Sequence, residues 1–209
     1  KNVVWLRPVV VGETAEKIVI SLVPLENDTV TFEIYRLKAD ENRQAYCQGL
    51  VTFLPPPDPI PTVDLRAEKE CCNKGVWQAH HCYEFFTAAG FQYGASFQGV
   101  ETLYLGENKA LGKLKLPSVV TDTLANYHLH PSILDAALQS TLGLILGVTN
   151  EQHQENKTTI PFALNKIEVL GRFTKNMWAL VRRTEGSTKE NSVQKIDIDL
   201  CNDEGEISA

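Results

Sequence analysis

The sequence reads as an α+β protein in which antiparallel strands curve around one long apolar helix. Strand-like runs fill the first fifty or so residues, rich in Val, Ile, Thr, Phe and Tyr. A stretch holding five prolines in eight residues, 54–61, divides the chain. Beyond it, further strands flank the strongest helical pattern, 131–146, which carries an apolar stripe at i, i+4 spacing.

The strands of the first part are expected at 2–11, 17–23, 30–37 and 44–53, separated by the turn signals Gly12-Glu13, Glu26-Asn27-Asp28 and Ala39-Asp40-Glu41-Asn42. Ile18, Ile20 and Leu22 alternate with Val19, Ser21 and Val23, which predicts a central strand covered on both faces. Prolines fix φ and lack a backbone N–H, so 54–61 reads as an extended surface linker. A helix is expected at 79–89, with Tyr83, Phe85 and Phe86 turned inward and Gly90 closing it. A glycine-containing turn, 91–97, leads to strands at 100–105 and 109–116, and 119–129 is a connector. Pro131 opens the main helix, with His130 or a neighbour as its cap. Strands resume at 159–170, 178–183 and 193–200; the polar stretches 150–157 and 184–191 read as mobile loops.

Composition narrows the function. Apolar residues make up 43% of 209 and charged residues 22%, which suits a globular core and excludes a disordered tail, a collagen-like repeat or a disulfide-scaffold peptide. Twenty Lys and Arg against 26 Asp and Glu give a net charge of −6, the wrong sign for a general nucleic-acid binder. The longest apolar run, around 142–148, is far short of the ~20 residues of a membrane span. Five cysteines, odd in number and irregularly spaced, suit reduced thiols in a cytoplasmic protein. The sole methionine is Met177 and the chain opens directly on a strand-like run, so a piece of a longer polypeptide is expected; the turn at 203–207 reads as the start of a strand that is cut off.

The chemistry-bearing residues lie on the main helix. Asp135 and Gln139 are one turn apart on the same face of an otherwise apolar segment, and Ala136 and Ala137 suit the close approach of another backbone. Two readings of Asp135 stand side by side. In one it is a first-turn carboxylate favoured by the helix dipole, by ~0.3–1 kcal/mol. In the other it is a desolvated acid of raised pKa, positioned by Gln139 to give a proton to a leaving group. Tyr93-Gly94-x-x-Phe97-Gln98-Gly99 is an aromatic turn whose glycines allow a ligand or a strand to pass closely.

Taken together, Tyr93-Gly94-x-x-Phe97-Gln98-Gly99 followed by His130-Pro131-x-x-x-Asp135-x-x-x-Gln139 resembles the second half of a polyketide synthase dehydratase domain. Trp5-Leu6-Arg7-Pro8, the proline divider and Ile160-Pro161-Phe162 extend the likeness over nearly the whole chain. The resemblance implies a double hotdog, two curved antiparallel sheets each wrapped on a helix. Here 1–53 would be a partial first hotdog without its helix and histidine motif, 54–76 a proline-rich linker and 77–209 the second hotdog with the Asp-bearing helix. It implies an enzyme of polyketide, including antibiotic, biosynthesis that removes water from a β-hydroxyacyl thioester on an acyl carrier protein. Asp135 would be the acid and Gln139 and Tyr93 its support, all three catalytic. Gly94, Phe97, His130, Pro131, Leu134 and Leu138 would bind the acyl chain. No cofactor beyond the carrier's phosphopantetheine is implied.

Two departures from the family pattern matter. Ala95 stands where the family has proline, which loosens the turn. The family's base, a histidine in a His-x-x-x-Gly-x-x-x-x-Pro motif, has no counterpart, since no histidine precedes His80. The base is therefore expected outside this chain, and the 209 residues alone are expected to be inactive. The competing reading is a non-catalytic or double-bond-shifting module of a megasynthase. His128 with His130, and Cys71-Cys72 with His80-His81-Cys82, have metal-like spacing but no sensible further ligand, so no metal site is expected. Expected partners are the carrier protein, neighbouring synthase domains and a second copy in a homodimer, without nucleic acid or membrane. The carrier would dock on Arg172, Lys175, Arg182 and Arg183, or on Lys109, Lys113 and Lys115; the alternative is that these residues form a solvated strand face.

Overall fold

A computed structural model describes residues 1–37, 42–147, 161–184 and 193–209. Two compact units emerge, residues 1–56 with 158–168 and residues 57–157 with 169–209.

The first unit is a five-stranded antiparallel sheet in the order β2-β3-β4-β1-β8, formed by β1 (Val3–Trp5), β2 (Val19–Pro24), β3 (Thr29–Leu37), β4 (Arg43–Thr52) and β8 (Ala163–Leu164). The expected first strand shortens to three residues, because Pro8 cannot donate to a ladder and Val10 and Val11 are exposed. The strand expected to be central, β2, lies at the sheet edge and, among the described residues, pairs with β3 alone. Ile20 and Leu22 are 62% and 63% exposed. Apolar side chains on both faces report what a strand would bury; backbone pairing alone decides its place in the ladder. Among the described residues of the strand expected at 159–170, β8 is the part that forms, held to β1 through Val3 and Val4.

The second unit carries the larger core. Its antiparallel sheet runs β10-β9-β7-β6-β5, from β5 (Gly75–Gln78), β6 (Val100–Leu105), β7 (Lys109–Lys115), β9 (Asn176–Arg183) and β10 (Ile196–Cys201). Helices α2 (Ala79–Ala88), α3 (Pro131–Gln139) and α4 (Leu142–Leu146) pack on it around Leu103, Leu114, Ile133, Leu144, Met177 and Val181. The assignment of 54–76 to a linker is corrected here: α1 (Leu65–Cys71), capped by the Asp64 carboxylate on the Ala67 N–H, and the start of β5 fall inside it. Both are short and flanked by charge, so neither shows a clear period. The loops expected at 150–157 and 185–191, and Ile160, lie outside the described residues.

Helix α2 ends as expected. Gly90, at φ 91°, lets the Phe91 N–H reach the Phe86 carbonyl and its own N–H reach that of Thr87. The single helix expected over 131–146 is two, broken at Ser140 and Thr141. Their hydroxyls donate to the carbonyls of Ala136 and Leu138 and compete with the regular ladder. The face against the sheet is made by Ile133, Ala136, Ala137 and Ser140, while Leu134 and Leu138 are only half-buried. Small residues allow this. A Cβ on Gly112 of β7 would sit 2.3 Å from Ser140 Oγ, and one on Gly143 would sit 2.4 Å from the Ala110 Cβ.

Candidate active site

The site residues meet where α3 crosses the turn before β6. Helix α3 starts at His130, which is buried and serves as its cap: Nδ1 accepts from the Ser132 N–H at 3.2 Å. Thr123 Oγ1 donates to the Val120 carbonyl, so its contact with His130 Nε2 at 3.0 Å makes that nitrogen the protonated one. Both ring nitrogens are thereby committed and burial lowers the imidazole pKa. His130 is a neutral cap that holds the start of the helix.

Asp135 is the fifth residue of α3, beyond the first turn, so the dipole reading of this carboxylate is set aside. It is half-buried, and its pKa is raised by burial and partly restrained by the hydrogen bond from Gln139. Gln139 Nε2 donates to Asp135 Oδ2 at 2.7 Å and to the Phe97 carbonyl at 2.8 Å. No Lys or Arg pairs with Asp135 among the described residues.

The turn is a short 3-10 segment, Ala95–Phe97, fastened by the Gln98 side chain on the Tyr93 carbonyl and by Gln139 on that of Phe97. Its two glycines differ. Gly99 is packed, since a Cβ there would lie 3.0 Å from the Ala136 Cβ, whereas one on Gly94 would meet nothing within 4 Å. Tyr93 stacks with Phe91 and meets Phe86 edge-on. Burial and the nearby Asp135 charge raise its phenol pKa. Its hydroxyl has no hydrogen-bond partner among the described residues. Phe97 is 40% exposed, and Pro131 is exposed at the helix start.

One residue of this cluster was not expected there. Tyr83 on α2 reads from the sequence as a core aromatic, yet its hydroxyl donates to Gln139 Oε1 at 3.0 Å and accepts from the Val100 N–H at 2.9 Å. The available signal was the phenol itself, a polar tip on an apolar helix face that needs a partner when buried.

The site thus brings together, beside an aromatic cluster, a carboxyl group without a cationic partner among the described residues, an amide that holds one of its oxygens, and a phenol. Residues 60–209 match the family of the polyketide synthase dehydratase N-terminal domain. The chain belongs to that dehydratase family.

The dehydratase is 38% identical over 207 residues to polyketide synthase PksN of Bacillus subtilis and 37% identical over 209 residues to PksL of the same organism. Each alignment covers 99% of the chain, which spans only 4–5% of the length of those synthases. Among solved structures it is similar to a trans-AT polyketide synthase dehydratase domain of Brevibacillus brevis, with 36% identity and TM-score 0.83, over 100% of this chain and 71% of that one. The curacin CurK dehydratase matches at 28% identity and TM-score 0.86, over 99% and 70%. The fold is an incomplete double hotdog, with two antiparallel sheets and the helix of the second.

The basic clusters of the dehydratase are mostly satisfied within it. Lys109 pairs with Glu68 at 2.7 Å, Lys113 with Glu101 at 2.6 Å and Arg182 with Asp199. Arg183 donates to Gln194 and to the Leu144 carbonyl. Arg172, Lys175 and Lys115 are exposed and have no side-chain partner among the described residues. His128 is exposed and lies off any strand, and no cluster of three or more metal-ligating side chains occurs among the described residues.

Proposed function

We propose that this dehydratase removes water from a β-hydroxyacyl thioester carried on an acyl carrier protein, giving an α,β-enoyl product, with Asp135 as the general acid. The observation that carries the reading is the environment of Asp135, a half-buried carboxyl group of raised pKa with no cationic partner among the described residues and one oxygen held by Gln139. Elimination moves two protons. A base takes the α-proton next to the thioester carbonyl, and an acid protonates the β-oxygen as the C–O bond breaks, so the leaving group departs as water. Oδ2 of Asp135 is occupied as the acceptor from Gln139, which leaves Oδ1 to carry the proton delivered to the substrate. The unpartnered hydroxyl of Tyr93 is a second donor for the departing oxygen. The base is a histidine supplied from outside these 209 residues. In the similar CurK dehydratase, a variant with a histidine replaced by phenylalanine and one with an aspartate replaced by asparagine are each inactive, which supports a histidine–aspartate pair here.

The substrate's phosphopantetheine makes a further cofactor unnecessary. The carrier protein docks on Lys115, Lys175 and Arg172, the members of the two candidate clusters with no side-chain partner among the described residues; Lys115 and Lys175 are close, since the Leu116 N–H donates to the Lys175 carbonyl. A homodimer joined through an exposed strand edge completes the assembly, and sedimentation of the purified protein reads it. The deciding experiment measures turnover of a carrier-bound β-hydroxyacyl thioester by the synthase polypeptide with Asp135→Asn or Asp135→Ala. A fall of ~10²–10⁴-fold is expected, and near-normal elimination by either variant would overturn the assignment.

A further inference from the structure

Tyr83 stands outside the motifs, yet its hydroxyl is the start of a one-way chain of hydrogen bonds ending on the candidate acid. The Val100 N–H can only donate, so at 2.9 Å it occupies a lone pair of the phenol oxygen. The phenol proton is then directed to Gln139 Oε1, 3.0 Å away. This contact and the Phe97 carbonyl, which can only accept, together fix which way the Gln139 amide faces, with oxygen toward Tyr83 and nitrogen toward Asp135 Oδ2 at 2.7 Å and the Phe97 carbonyl at 2.8 Å. All four polar hydrogens of the chain, the Val100 N–H, the Tyr83 O–H and the two of the Gln139 amide, are used. The direction of donation runs from the first residue of β6 through α2 to α3, so each element contributes one link.

We propose that Tyr83 is a positioning residue for the dehydration, one that locks the amide of Gln139 so that it donates to Asp135 and thereby sets which carboxyl oxygen carries the acid proton. Were the amide reversed, Oε1 would face Oδ2 and the site would favour a protonated Oδ2 turned away from its present role. Burial raises the Tyr83 phenol pKa, so it remains a neutral donor throughout the working range. Tyr93 is a different case, because its hydroxyl is left for the substrate. The inference rests on Asp135 being the acid, but the arrangement of the three side chains is measurable without turnover.

The test is the carboxyl ¹³C titration of Asp135 in the intact chain, with and without Tyr83→Phe. Loss of the phenol removes one of the two contacts that orient the amide and weakens the donor to the carboxylate, so the Asp135 midpoint is expected to rise by about half a pH unit to one unit. In the synthase polypeptide the alkaline limb of the turnover profile should move upward by the same amount. A purely structural tyrosine would lower the melting temperature and leave the midpoint where it was, and that result overturns the proposal. A second pair of proteins guards against simple misfolding. In a Gln139→Leu background the same Tyr83→Phe change should add no further shift, and an equal shift in both backgrounds also overturns the proposal. If Tyr83→Phe moves the midpoint while Asp135→Asn leaves turnover intact, the positioning network stands and the acid assignment falls.

Discussion

Asp135 keeps its chemistry at some expense to the fold. Burial raises its carboxyl pKa above the ordinary 3.8, and the Gln139 hydrogen bond offsets part of that rise. A carboxyl group whose folded pKa exceeds its unfolded one contributes its stability fully below the unfolded value and loses it as pH rises through the folded one. At neutral pH the buried carboxylate is therefore destabilising. Asp135→Asn keeps an acceptor for Gln139 and removes the charge, so its melting temperature at pH 7 should equal or exceed that of the parent. Its stability should also lose the decline with pH that begins near 3.8. Thermal melts across pH 3.5–7 check this, and a variant that is less stable at every pH would show that the carboxylate is a structural anchor. His130 shows the other outcome for a polar group in an apolar setting: both nitrogens are satisfied, and it holds the helix start.

The two elements that frame the site depend on different kinds of fit. The 3-10 turn Ala95–Phe97 follows Gly94 at φ −67° and ψ 163°, the extended conformation that a residue before proline adopts. Ala95 is the first residue of that segment, where no intrahelical partner waits for its N–H. Ala95→Pro should therefore stabilise the protein by ~0.4–1 kcal/mol through the unfolded chain, read as a shift in denaturant midpoint without a change in slope. A lower midpoint would show that the alanine N–H is needed. Helix α3 lies on β7 through missing side chains. Gly112→Ala puts a methyl group 2.3 Å from Ser140 Oγ, one residue from Gln139, and neither backbone can yield freely. A loss of ~1–3 kcal/mol is expected; the same denaturant series measures it, and an unchanged midpoint would show that the helix is not wedged there.

For the molecule as a whole, charge sets the terms of association. If the proposed carrier protein is the partner and is acidic, a net charge of −6 would repel it at long range, and encounter would rely on a local positive surface. Ion pairing within the second unit removes Lys109, Lys113 and Arg182 from that role and leaves Lys115, Lys175 and Arg172. Reversing Lys115 and Lys175 to Glu should weaken carrier binding by about three- to tenfold at low salt, less as salt screens it. Titration calorimetry with the carrier at two ionic strengths reads this, and equal affinity for parent and variant would remove the surface from consideration.

Strand and helix positions in the second unit were legible because β6, β7 and α2 each carry a strong local pattern, and the pairing of Asp135 with Gln139 followed from helical spacing alone. Local pattern could not reveal α1 and β5, which are short and charged, nor the edge position of β2, which is a matter of backbone partners. It showed an apolar i, i+4 stripe along the helix, whereas small residues at Gly99, Gly112 and Gly143 bring the Ala136 side against the sheet and leave Leu134 and Leu138 half-buried. Residue type and spacing along one chain determined which groups could act as acid and support. Only the packing of α2 against α3 decided that Tyr83, 56 positions before Gln139, orients the amide, because a hydrogen bond depends on distances that no single segment contains.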